Sequence, residues 1–256
     1  MTRAAGRALT TLALLASVAQ GIAAQDTVVA ARHVLPLDTS RMQPYRRVYD
    51  MIVYVRDSAT VVGEREVTLI PTTYAGSPAW MLIEVRTGMV PAAETLYVAP
   101  DLRPLHWYSA QGSATLGATF VGDTVFGAVR APAGKRSLIL AGRPDLLVSQ
   151  GMIEMLLPLL PLTSAWTDSA SVLSVDMASG SVIPAELSVI SEENLLVNST
   201  VTRAAWVVAV RAEARATLFW IDKESGEVLR AQQPLPTHVG TLLEYRRRAD
   251  GAPSGR

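Results

Sequence analysis

Apolar and polar residues alternate along most of this chain with the period of a β-strand. In Val61–Ile70, Glu64, Glu66 and Thr68 stand against Arg65, Val67 and Leu69. Period-two alternation puts such sets on opposite faces of one strand. Tyr45–Arg56, Trp80–Arg86, Glu94–Ala99, Leu105–Ala110, Ala114–Val121, Thr124–Arg130 and Arg136–Ala141 are further runs rich in strand formers. Asp57-Ser58-Ala59, Gln111-Gly112 and Gly122-Asp123 separate them as turns, and Pro71–Pro78 reads as a loop. Connections this short force antiparallel neighbours, because a parallel crossover needs about a dozen residues or more.

A second series follows. Trp166–Met177 and Val182–Ile190 are joined through Ala178-Ser179-Gly180, and Glu192-Glu193-Asn194 reads as a turn into Leu195–Val201. Ala205–Val210, Ala216–Ile221, Glu227–Gln232 and Thr237–Arg246 complete it. Residues 211–216, RAEARA, have helix-compatible types. The strand formers Trp206–Val208 before them and Thr217–Trp220 after them make a turn or a continuing strand the better reading.

One stretch breaks the pattern. Pro144–Leu162 reads PDLLVSQGMIEMLLPLLPL, and a helix is expected over 144–157. Pro144 suits a first helical turn, Asp145 faces the positive end of the helix dipole, and Pro158 and Pro161 end the element. Its surface is apolar nearly all round, with Gln150 and Glu154 as the polar exceptions. Such a helix needs cover on most sides. Two readings follow: a plug in a β-structured core, or a lid over an apolar cavity.

The expected fold is mainly β. Roughly thirteen short strands form a strongly curved antiparallel sheet, a half-open barrel, with one central apolar helix over the concave face. The domain is expected over 45–247, after a linker or extended arm over 25–44 and before a disordered tail over 248–256.

Charge and termini set the setting. The chain opens MTRAAGR followed by an apolar run and small residues around Gly21, Ala23 and Ala24, the pattern of a secretory signal peptide over 1–24. Removing it takes away Arg3 and Arg7 and leaves 21 basic residues against 23 acidic ones. No basic field remains to hold nucleic acid. The chain has no cysteine, which excludes disulfides, thiolate metal sites, a cysteine nucleophile and a lipid-modified N-terminal cysteine. The expectation is a periplasmic protein with neither a lipid anchor nor a transmembrane one.

Catalytic motifs do not emerge. His33, His106 and His238 are isolated from one another, and neither HExxH nor GxSxG occurs. Gly134-Lys135-Arg136-Ser137 lacks the context of a phosphate loop, and Glu192-Glu193 reads as a solvated turn. No metal site, no cofactor and no enzymatic activity are expected. The aromatic residues point to binding instead. Trp107, Trp206 and Trp220 on strands, with Met152, Met155 and Leu156 on the helix, are the candidate residues for an apolar ligand, since Trp gives large apolar area and Met adapts its shape. Core packing is the simpler reading of the strand tryptophans, and a pocket lining is the alternative to it.

The order of elements resembles a family. A leader precedes a meander with the turn LYVAPDLRPLHWY (Leu96–Tyr108), then comes the helix, then a second meander ending LFWIDKESGEVLR (Leu218–Arg230). Over about Tyr45–Arg247 this is similar to exported bacterial proteins of the periplasmic lipoprotein-carrier-like superfamily, which includes the LolA and LolB carriers, in a branch without assigned activity. The resemblance implies a half-open barrel enclosing an apolar cavity for acyl chains. The sequence departs from the carriers in having one helical stretch where they have several, and no lipobox cysteine. Two functions follow as expectations: a soluble periplasmic carrier of an acyl-chain-like ligand, or an envelope scaffold that binds another protein through sheet surface or edge strands.

Overall fold

The computed structural model describes residues 35–56, 58–89, 91–141, 146–175, 180–197, 200–235 and 241–248. The expected leader over 1–24, His33, Pro144, Asp145, His238 and residues 249–256 lie outside them. Eight strands run in hairpin succession: β1 (Tyr45–Val55), β2 (Ser58–Tyr74), β3 (Ser77–Gly88), β4 (Ala92–Val98), β5 (Pro104–Gln111), β6 (Ala114–Val121), β7 (Thr124–Ala131) and β8 (Gly134–Ala141). A two-residue strand β9 (Leu146–Leu147), helix α1 (Gln150–Leu156) and a 3-10 turn (Leu157–Leu159) follow. The second series is β10 (Thr167–Val175), β11 (Gly180–Leu196), β12 (Thr202–Ala212), β13 (Arg215–Asp222), β14 (Val228–Pro234) and β15 (Thr241–Arg247).

All fifteen described strands belong to one sheet. Its order runs from β8 down to β1, then β15 down to β9. The chain therefore folds as two meanders joined where the first and last strands pair, with Met51 opposite Tyr245 and Val53 opposite Leu243. The sheet is mostly antiparallel and strongly curved, without closing into a barrel. Its curl brings Gly180, the first residue of β11, against the side chains of Leu138 and Leu140 on β8. A side chain at 180 would meet Leu140 at 3.2 Å, so a glycine suits this seam.

Period-two alternation sorts residues as expected. Tyr49, Met51, Val67, Leu69, Leu82, Leu96, Val208, Phe219 and Ile221 face the concave side and form the main core with the helix. A smaller cluster of Ala205, Val207, Trp220 and Leu229 lies on the other face, partly covered by Leu195, Val197 and Leu218. The curvature has local causes. Between β1 and β2 the pairing slips at Met51/Ile52, where Val62 has no opposite number, and a bulge of this kind bends a strand. Gly63 and Gly88 cross there so closely that a Cβ on Gly63 would lie 2.0 Å from the Thr87 carbonyl oxygen.

The helix departs from expectation at both ends. It begins at Gln150, with Ser149 as its cap: the Ser149 hydroxyl accepts from the Met152 amide at 3.2 Å. Leu146 and Leu147 extend instead and pair in parallel with Ser171 and Val172 of β10. Pro158 sits in the 3-10 turn, where its missing N–H is tolerated. Three other readings need correction. Among the described residues the strands number fifteen rather than about thirteen. Glu192-Glu193-Asn194 is no turn, because β11 runs unbroken through it opposite Trp206, Ala205 and Ala204. Pro71–Tyr74 continues β2, so the loop shrinks to a turn at Ala75-Gly76. The described end of the arm packs down, with Leu35 buried in the core and the Asp38 amide donating to the Leu159 carbonyl at 2.9 Å. RAEARA resolves as a tight turn between β12 and β13, with Glu213 at positive φ.

Candidate functional site

The helix fills the hollow of the sheet. Met152, Met155, Leu156, Leu157, Leu159 and Leu160 are each less than 5% exposed. The approach onto β3 is close: a Cβ on Gly151 would lie 3.0 Å from both Glu84 Oε2 and Leu82 Cδ2.

Beneath the helix runs a ladder of charges, buried at Arg65, Glu84 and Glu154 and half-buried at Arg86 and Glu94. Glu154 on α1 accepts from Arg65 Nη1 through both carboxylate oxygens, at 2.7 and 2.8 Å. Arg65 Nη2 donates to Glu84 Oε2 at 2.7 Å. Glu84 Oε1 lies 3.3 Å from Arg86 Nε, within ion-pair distance but out of line for a hydrogen bond. Arg86 Nη2 then donates to Glu94 Oε1 at 3.3 Å. Gln150 Nε2 adds a donor to Glu154 at 2.9 Å. Tyr49 and Tyr245 flank Arg65, their ring centres 5.4 and 4.8 Å from its guanidinium carbon. The pleat explains the placement: Arg65 shares a face with Val67 and Leu69, Glu84 with Leu82, and Glu94 with Leu96 and Val98.

The ladder holds three carboxyls against two guanidiniums, and its protonation follows from that. Burial disfavours charge on Arg65, but Glu154 and Glu84 outweigh it and hold the guanidinium well above its usual range. Burial also opposes the Glu84 carboxylate, and Arg65 more than compensates, so its pKa falls. Glu154 shares the same cation less favourably; burial wins and its pKa rises. Burial, then repulsion from Glu84, raises Glu94. Burial drives Tyr45 up to about 12 and raises Tyr49 and Tyr245 as well.

Glu94 is also the rung that opens on space. A cavity of about 400 Å³ lies on the concave face, lined by Glu94, Trp107, Ser109, Gln111, Ala114, Thr115, Leu116, Val129 and Val175. Trp107 is 8% exposed, and its Nε1 donates no hydrogen bond of good geometry, though it lies near enough to Glu94 to favour the carboxylate slightly. An apolar cavity with a few convergent polar groups and a perturbed carboxyl is the arrangement of a small-molecule site. A second cavity of about 450 Å³ lies between the arm, the 3-10 turn and the β13–β14 turn, with Tyr45, Arg47, Leu69 and Met155 on its walls. It is more polar; Arg47 there lies over the Tyr45 ring at 4.0 Å and reaches Glu227 at 3.5 Å.

The six residues singled out for ligand binding do not share one pocket. Trp107 lines the concave cavity and Met155 the second one. Trp206 borders a small recess of about 180 Å³ beside Pro161 and Lys223, with the Lys223 ammonium 3.7 Å above its ring. Met152 and Leu156 are buried in the main core. Trp220 lies on the opposite face, where its Nε1 donates to Glu193 at 2.8 Å and Arg230 stacks on its ring at 3.5 Å. His106 stacks with Tyr74, and its Nδ1 lies 3.1 Å from Thr119 Oγ1. Arg65, Glu84 and Glu94 escaped the reading of the sequence. Their signal was phase: each is a charged residue in step with the apolar set of its strand.

Among the described residues no helix is long and apolar enough to cross a membrane, and no three His, Asp or Glu side chains converge as a metal site. No protein-family model and no curated protein sequence matches the chain. Among solved structures it is similar to a crystal structure from Brucella abortus described as a beta-barrel-like protein of Domain of Unknown Function DUF1849. The TM-score is 0.52 at 11% identity, covering 81% of this chain and 96% of that one. The likeness is one of fold: a mainly β, beta-barrel-like sheet.

Proposed function

We propose that this protein is a non-enzymatic binding protein of the lipoprotein-carrier-like type, exported by the leader over 1–24 and working in the periplasm, and that it holds one apolar, acyl-chain-like ligand in the concave cavity at Trp107. The observation that carries this reading is the cavity itself. Its wall of Trp107, Leu116, Val129 and Val175 is apolar, yet it stays open beside a densely packed core. Small-molecule sites run from about 300 to 1,000 Å³, so a volume of about 400 Å³ suits a compact apolar body or a short chain. The helix occupies the space a longer chain would need.

A titration with the neutral probe N-phenyl-1-naphthylamine tests it. The wild-type protein takes up one equivalent saturably. Val175→Trp, which fills the cavity from the end of β10, weakens uptake at least tenfold without moving the melting temperature. Uptake that is absent, or indifferent to Val175→Trp and Ala114→Trp alike, overturns the site.

A second reading, an envelope scaffold, draws on the outer face of the sheet at its edge strand β8. Across the convex face Thr119 pairs with Phe126 and Phe126 with Ile139, on the edge strand β8. Phe126 is 47% and Ile139 72% exposed, and an apolar edge strand invites pairing with another chain.

A further inference from the structure

Resting on the reading of the Trp107 cavity as a ligand site, we infer that the ligand is a short carboxylate amphiphile, its head held by Arg136 and its apolar chain running along the cavity towards Trp107. Glu94, Ser109, Leu116, Val129 and Arg136 are successive cross-strand partners from β4 to β8. The first four line the cavity. Arg136 is the next step beyond Val129, in phase with Leu138, the core residue of β8. The row therefore sets a cation at one end of the apolar wall and a carboxyl at the other, about 19 Å apart along the sheet at about 4.8 Å per strand.

Arg136 is half-buried as a residue, yet its Nε and Nη2 atoms are buried and have no hydrogen-bond partner. These two nitrogens flank one edge of the guanidinium, with their N–H groups pointing the same way. That edge is the fork that matches the two oxygens of a carboxylate. Arg65 and Arg86 also have an unpartnered Nε, but both commit Nη groups to glutamates. At Arg136 neither donor of the edge is paired. Buried donors are ordinarily satisfied and an arginine stays charged, so a fork without an acceptor is costly. A carboxylate supplies two acceptors and the countercharge in one contact. One fork on a single cation suits it better than a phosphate dianion, which calls for more donors. Glu94 repels a negative head at the far end, so the row also fixes the ligand's direction. The site thus selects by charge at Arg136 and by apolar fit along Val129, Val175, Leu116 and Trp107.

Three probes with one apolar chain separate the head from the body: decanoate, monodecyl phosphate and decanol, each below its micelle concentration at pH 7, where an ordinary carboxylic acid is ionised. Affinity is read from displacement of bound N-phenyl-1-naphthylamine. Decanoate is expected to bind at least tenfold tighter than decanol, which is about 1.4 kcal/mol, and tighter than monodecyl phosphate. Arg136→Met keeps the stem without the fork and is expected to bring decanoate down to the level of decanol; a melting curve verifies that the variant is folded. Arg136→Lys gives an independent reading, because it keeps the charge and loses the fork. Its advantage for decanoate over decanol is expected to be smaller than that of the wild type by about threefold or more. Equal affinity for decanoate and decanol, or a preference undiminished in both variants, overturns the carboxylate head and leaves the apolar cavity standing. Monodecyl phosphate binding tighter than decanoate overturns the carboxylate as the head. Failure of the naphthyl probe to bind at all overturns the cavity as a ligand site and the carboxylate head with it.

Discussion

Arg65 on β2 and Glu154 on α1 meet at 2.7 Å, with the arginine side chain fully buried and the glutamate 2% exposed. This contact docks the helix on the sheet by charge as well as by apolar packing. Isolated buried charges are expensive, so the pair is stable only as a set with Glu84. Glu154→Ala is expected to lower stability by about 3–5 kcal/mol, because it leaves Arg65 with half its compensation. Replacing the whole set by apolar residues (Arg65→Met, Glu84→Leu and Glu154→Met together) is expected to cost less than Arg65→Met alone, which strands two carboxyls. Urea unfolding of the three variants checks this; a triple variant no better than Arg65→Met contradicts it.

The pH dependence of Glu94 has a definite sign. Its carboxyl is raised by burial and by Glu84, so the folded protein holds that proton more tightly than the unfolded chain does. Its contribution to stability therefore falls as pH climbs from the ordinary glutamate value, about 4.3, through the raised folded one. Glu94→Gln lacks this loss. The difference in melting temperature, variant minus wild type, is expected to be more positive at pH 7 than at pH 4. A difference constant across that range would show that Glu94 titrates normally.

Met152, on the helix, is 2% exposed and packs into the main core. Met152→Ala is expected to cost about 2–5 kcal/mol, through lost burial and the void left behind. Calorimetry checks it, and a loss below about 1 kcal/mol would mean that the helix packs loosely.

The curvature of the sheet depends on a backbone crossing. Gly63 on β2 and Gly88 at the end of β3, the latter at φ 93°, leave no room for a side chain. Gly63→Ala must push β3 away from β2 and is expected to cost about 2 kcal/mol or more. A melting curve unchanged by this substitution would place the bend elsewhere.

The strands were legible because alternation and turn residues agree along the chain. Residues 205–221 show how well this works: helix-compatible RAEARA gives way to the strand formers on either side. The helix start was less legible. Ser149 fits the apolar spacing and also caps, and Leu146-Leu147 looks helical in isolation while its partner, β10, lies some twenty-five residues on. Glu192-Glu193-Asn194 carries turn chemistry locally, yet Trp206, Ala205 and Ala204 opposite it extend the ladder. The ladder of charges was hidden for a related reason. A strand shows which residues share a face, but not that Arg65, Glu84 and Glu154 from three elements converge. Trp107 lines a cavity and Trp220 packs on the other face, although both sit in strands of similar composition.

The central claim is that the cavity beside Trp107 is where an apolar ligand sits. Crystals soaked with 1-bromodecane and measured at the bromine absorption edge locate such a ligand directly. The account predicts a bromine peak between Trp107, Leu116 and Val175, with the chain directed along the concave face. A peak found only on the convex face near Phe126 and Ile139, or none at all, would contradict it.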